Sequence, residues 1–172
     1  MKYATLLPLL IVGIFAFSSL PRTEPAQTAS QLRFSNRFVE GWLWEVDFEA
    51  GRYNDRGSTG HIRSCGPGCF SAPVVFEYPV SHGFDGITQW ERGGDEFDLS
   101  VEFQVIGFIE MEWCGSVVSA LHVKSYNGAV YADLYYTAPA ELIAVQSGGP
   151  GPLYLMCSEA GEKLGHGPIP AH

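Results

Sequence analysis

His122 and Asp133 flank an Asn127-Gly128 pair, and a two-residue turn at that pair makes them cross-strand neighbours. A carboxylate beside an imidazole favours its charged form and orients it as a general base. The first reading is plainer: an ion pair that steadies a sheet by about 0.2–1 kcal/mol. By alternation Ser119 points to the other face, and no Gly-x-Ser-x-Gly elbow exists, so His122 has no evident nucleophile. Glu110 and Glu112, two positions apart on a strand, project from one face about 6–7 Å apart. Paired carboxylates of that kind perform glycoside hydrolysis. Glu102 and Gln104 extend the row, although a solvated face has the same period.

Cys65, Cys69, Cys114 and Cys157 make an even set behind an export-type leader, which reads as two disulfides. Three pairings are open. Closure entropy favours joining one of Cys65 and Cys69 to Cys114 and the other to Cys157, because longer loops gain more. His61 with Cys65 and Cys69 would form a soft-metal cluster, but the second short-spaced pair of a zinc site is missing. The acidic turn Asp95-Glu96-Phe97-Asp98 lacks the spacing and glycine of a calcium loop. No metal and no cofactor is therefore expected. Trp90, beside Gln89 and Glu91 near Gly93-Gly94, is the candidate exposed aromatic contact. Tyr126, Tyr131 and Tyr135 share a hairpin face with His122, Lys124 and Asp133, a surface suited to a protein or a sugar.

The elements that must position these residues are strands. Trp42, Trp44, Val46 and Phe48 alternate with Leu43, Glu45, Asp47 and Glu49. Val101–Trp113 repeats the period, with Val101, Phe103, Val105, Ile109, Met111 and Trp113 in one row and a bulge or bend expected at Gly107. Residues 117–137 form a hairpin in which Tyr126 faces Ala129, Lys124 faces Tyr131 and His122 faces Asp133. Further strands are predicted at 74–80, 87–91, 142–146 and 153–157, and no stretch has helical period. The expectation is an all-β fold: a small antiparallel barrel or sandwich of about eight strands, stapled by disulfides. Residues 31–164 make one β domain, 27–35 read as a linker running into it, and 165–172 as a loose tail.

Met1-Lys2-Tyr3, the uncharged run 4–17 and the polar residues after it have the form of a secretory signal peptide within residues 1–30. Its length also borders on that of a membrane anchor. The chain of 172 residues is 46% hydrophobic and 17% charged, too apolar for a disordered chain. Ten basic residues against 19 acids, a net charge of -9, exclude a nucleic-acid binder. Beyond Arg63 only Arg92, Lys124 and Lys163 oppose thirteen acids.

Together these observations favour a secreted protein that binds an apolar small molecule or an extracellular protein, without membrane insertion once the leader is cut. By compositional analogy, a microbial effector-type secreted protein is one form this expectation takes. The alternative is a small secreted hydrolase acting on glycans through Glu110 and Glu112, or through His122 and Asp133. A third is a membrane-tethered accessory domain, if the leader stays.

Overall fold

The computed structural model describes residues 31–35, 43–78, 80–93, 100–128, 130–138, 141–148 and 153–157. The leader, Trp42, Ala129, the acidic turn 95–98 and the tail lie outside them. The described residues hold no helix, and none long and apolar enough to cross a membrane. They form β1 (Gln31–Ser35), β2 (Leu43–Asp47), β3 (Arg52–Asp55), β4 (Ser58–His61), β5 (Arg63–Gly66), β6 (Cys69–Ser71), β7 (Val75–Glu77), β8 (Gln89–Arg92), β9 (Val101–Trp113), β10 (Ser116–Asn127), β11 (Val130–Thr137), β12 (Glu141–Ser147) and β13 (Leu153–Leu155).

All pairings are antiparallel. Ten strands make one sheet in the order β4-β3-β2-β1-β13-β12-β11-β10-β9-β8, and β5-β6-β7 make a second of three. The all-β, disulfide-bonded class expected from the sequence is what forms. The closed barrel is not: β4 and β8 are the free ends of the large sheet. The strand count also exceeds the expected eight, because several strands have only three or four residues, too short for their alternation to register. Residues 31–35, expected as linker, are β1. Leu32 and Phe34 are fully buried while Gln31 and Arg33 are exposed.

One face of the large sheet packs against the small one. Leu32, Phe34, Val46, Phe103, Leu121 and Leu134 are 0% exposed and share a core with Phe76 and Val80. Each such side chain contributes about 1.5–3 kcal/mol. Trp44 stacks on Phe34 with centroids 4.4 Å apart and meets Phe76 edge-on at 5.9 Å. Polar ties also cross between the sheets: Ser125 Oγ donates to the Val75 carbonyl at 2.6 Å, and Tyr136 OH to that of Glu77 at 2.8 Å.

The long β9–β10 hairpin changes faces part-way. His122 pairs with Gly107 and Val123 with Val105, so Ile106 is the extra residue of a bulge. Gly107 has φ 145°, a conformation side chains resist. Before the bulge Val101, Phe103 and Val105 face the main core. After it Met111 and Trp113 face the opposite side, where they pack with Ala120, Tyr135, Ile143, Ala144 and Leu155. The expected single row from Val101 to Trp113 is thus two rows on opposite faces. Glu102 and Gln104 are parted from Glu110 and Glu112 for the same reason.

The disulfides are Cys65–Cys69 and Cys114–Cys157. This corrects the expected pairing, and the cause is local geometry. Pro67 and Gly68 turn β5 into β6, with Gly66 opposite Cys69, and the two cysteine Cα atoms stand 5.0 Å apart. Cys114, at the tip of the β9–β10 hairpin, meets Cys157 just past β13, with Cα atoms 5.5 Å apart.

Candidate functional site

Between the two sheets lies a small open cleft of about 70 Å³. Its wall includes Trp44 of β2 and, across the sheet, the cross-strand pair Val145 and Tyr154. Pro73 and Val74, leading into β7, close the other side. Asp55, the cross-strand partner of Trp44, and Arg56 form the polar rim together with Ser147. A tight turn places that rim. Arg56 and Gly57 have φ 53° and 83°, the left-handed values of a two-residue hairpin turn, and Asn54 Oδ1 accepts the Gly57 N–H at 2.9 Å. Holding an arginine there costs about 1–2 kcal/mol.

Asp55 Oδ1 accepts from Arg56 Nε at 3.1 Å and from Tyr154 OH at 3.3 Å. Burial, and then the Asp55 charge, push the Tyr154 phenol above its ordinary value, so it stays a donor. Trp44 is 2% exposed, and its Nε1–H finds no acceptor among the described residues. A buried donor left unmatched costs about 1–3 kcal/mol. The cleft thus combines an aromatic wall with an ion pair at its mouth, and the Trp44 N–H lies buried behind that wall without an acceptor among the described residues. Asp55, Arg56 and Tyr154 did not stand out in the sequence. The one available signal was the turn-forming run Asn54-Asp55-Arg56-Gly57.

On the opposite face of the large sheet, His122 and Asp133 do meet. His122 Nε2 lies 2.6 Å from Asp133 Oδ1, and Lys124 Nζ lies 4.0 Å from the same oxygen. The register differs from expectation: Lys124, not His122, is directly opposite Asp133, and His122 is opposite Tyr135. The pairing of Asn127 with Val130 moves the turn by one residue and every partner by two. An even shift keeps every side chain on its face, so the two meet diagonally. His122 stacks on Tyr135 at 4.9 Å, and Lys124 sits 5.5 Å above the Tyr131 ring. Tyr126 is tilted against Tyr131 at 6.2 Å. Tyr135 is only 8% exposed, and burial, with the Asp133 charge, raises its pKa. Ser119 pairs with Glu110 on the other face, so the dyad gains no nucleophile from it.

Trp90, expected as an exposed contact, is instead buried at 8% exposure, stacked on Phe103 at 5.2 Å. Its Nε1 donates to Glu77 Oε2 at 2.6 Å. Glu77 Oε1 accepts from Arg92 Nη2 at 2.7 Å, and Arg92 Nη2 lies 3.1 Å from His82 Nε2. This charged group joins β7 to β8 inside the fold. Glu110 and Glu112 are both exposed, on the hairpin arm beyond the bulge. Cys65 and Cys69 are spent in a disulfide, so they offer no thiolates to His61 for a metal.

No family model, curated protein or solved structure matches this chain. Function therefore has to be argued from the sites themselves.

Proposed function

We propose that the protein is an extracellular, disulfide-stapled β-sandwich that binds a small, largely apolar molecule in the cleft beside Trp44. The observation that carries this reading is the cleft's make-up. Aromatic and aliphatic walls with a few convergent polar groups are the usual composition of a ligand site. Asp55 with Arg56 supports polar recognition at the mouth. The two disulfides are compatible with an extracellular location.

A glycan hydrolase working through Glu110 and Glu112 fits less well. An acid that protonates a leaving group needs a buried setting to raise its pKa, and both side chains are exposed. The test is native mass spectrometry of the oxidised protein recovered from its own source, beside a Val74→Trp variant that fills the cleft. The expected result is an excess mass, released on denaturation, in the wild type and missing from the variant. A bare wild-type mass, or an adduct that the variant keeps, rejects the cleft as the ligand site.

A further inference from the structure

The β9 strand outruns its neighbour. β8 covers only Val101–Gln104, and the last tie on that side is the Val105 N–H to the Thr88 carbonyl at 2.9 Å. From 106 to 111 no described strand lies along the side of β9 away from β10. An uncovered strand edge presents free backbone donors and acceptors, and native sheets normally shield such a row. Here the row is also apolar. Ile106, Phe108 and Ile109 are 50%, 58% and 38% exposed. Beyond the bulge at Ile106 the arm is held extended, paired to β10 from Gly107 to Trp113 and pinned at its tip by Cys114–Cys157. A rigid edge loses little entropy when a strand is added.

Charge selects what fits. Glu110 stands exposed on this edge and makes no ion pair among the described residues. Phe108 and Glu110 share one face after the bulge, and Ile109 takes the other. The chain beyond Arg63 is strongly acidic. A second copy would bring its own Glu110 and set like charges close together, which destabilises cross-strand pairing.

We propose that residues 106–111 of β9 take up an extended segment of a partner protein as an added strand, one that alternates basic with apolar residues. The basic side chains lie opposite Glu110 and Phe108, and the apolar ones opposite Ile109. Backbone bonds supply affinity and the alternating side chains supply choice, as in other strand-addition modes. This surface is separate from the Trp44 cleft and does not depend on it.

The test uses the oxidised full chain and a fluorescent peptide of alternating Lys and Val. Binding is followed by anisotropy and located by amide hydrogen exchange. The peptide is expected to bind and to slow exchange within 106–111. Glu110→Lys, an exposed substitution that the fold tolerates, is expected to weaken it about tenfold. A Glu/Val peptide, and a Lys/Val peptide with alternate amides N-methylated, are expected not to bind. The N-methylated form keeps the charge and loses the strand bonds. Four results each overturn the proposal: no binding, equal binding of the N-methylated peptide, indifference to Glu110→Lys, or protection elsewhere. A protein that is dimeric through this edge without peptide would assign the edge to a second copy and overturn it too.

Discussion

Cys65 and Cys69 are 4 residues apart in the chain, and both are 0% exposed within the main core. Cys114 and Cys157 are 43 residues apart, at the edge of a small cluster on the other face. The first bond lies in a hairpin that the packing of Phe70, Phe76 and Phe48 around it already fixes. The second holds an arm whose own burial is thin: Trp113 is buried, but Phe108 and Val117 are 58% and 73% exposed. Around it the Trp113 Nε1–H reaches the Met156 carbonyl at 3.3 Å, and Ser35 Oγ donates to the Cys157 carbonyl. Between the sheets, apolar burial and the Glu77 network do the holding. On the arm, a covalent bond reinforces a small apolar cluster.

The largest expected effect separates the two bonds. By loop entropy, Cys114→Ser/Cys157→Ser lowers stability by about 4 kcal/mol and Cys65→Ser/Cys69→Ser by about 2 kcal/mol. Urea unfolding measures both, and equal losses would break the contrast. Hydrogen exchange sharpens it: without Cys114–Cys157 the arm amides speed up while those between the sheets stay protected.

Next in size is Glu77→Leu. It leaves Arg92 without its carboxylate and the Trp90 indole without an acceptor. Breaking a buried pair costs about 3–5 kcal/mol, and the partial exposure of Arg92 puts this one near about 3. Glu77→Leu/Arg92→Leu recovers part of the loss in thermal unfolding. A single-variant cost under about 1 kcal/mol would mean that apolar packing alone joins the sheets.

The smallest effect is alkaline. Burial, and then the Glu77 charge, raise the Tyr136 phenol well above its ordinary value of 10.0. Tyr135, on the arm's face, is raised to a lesser degree. Above the unfolded value the unfolded chain loses this proton and the folded chain keeps it. The contribution is therefore whole below pH 10 and falls as pH rises towards the folded value, by up to about 1.4 kcal/mol per unit. Tyr136→Phe removes that slope. It also loses the hydrogen bond to the Glu77 carbonyl, which costs about 1 kcal/mol at neutral pH. An unchanged alkaline slope in pH-dependent unfolding would show that other phenols control it.

Much of the fold was legible. In β2, Trp44 and Val46 turn inward while Glu45 and Asp47 stay partly exposed, as the alternation says. The hairpin of β10 and β11 was recognisable from its Asn-Gly pair, and its faces survived an error in register because the slip was even. β1 was missed because five residues with two apolar positions look like linker until a neighbour buries them. The candidate site was less legible. His122 and Asp133 could be joined through one turn, but the Trp44 cleft draws on β2, the β3–β4 turn, β12, β13 and the Pro73 segment.

The sequence by itself determined which side chains share a face within a strand, because side-chain direction follows from the backbone period and needs no partner. It also determined that strands would dominate and that the cysteines would pair. Only the tertiary structure decided which cysteines meet, that Trp90 lies buried against Glu77, that the large sheet stays open, and that the bulge sends Glu110 to the opposite face from Glu102. Each of these depends on the order in which distant strands pair. That order is set by the sum of burial over the whole chain, which no local run of residues contains.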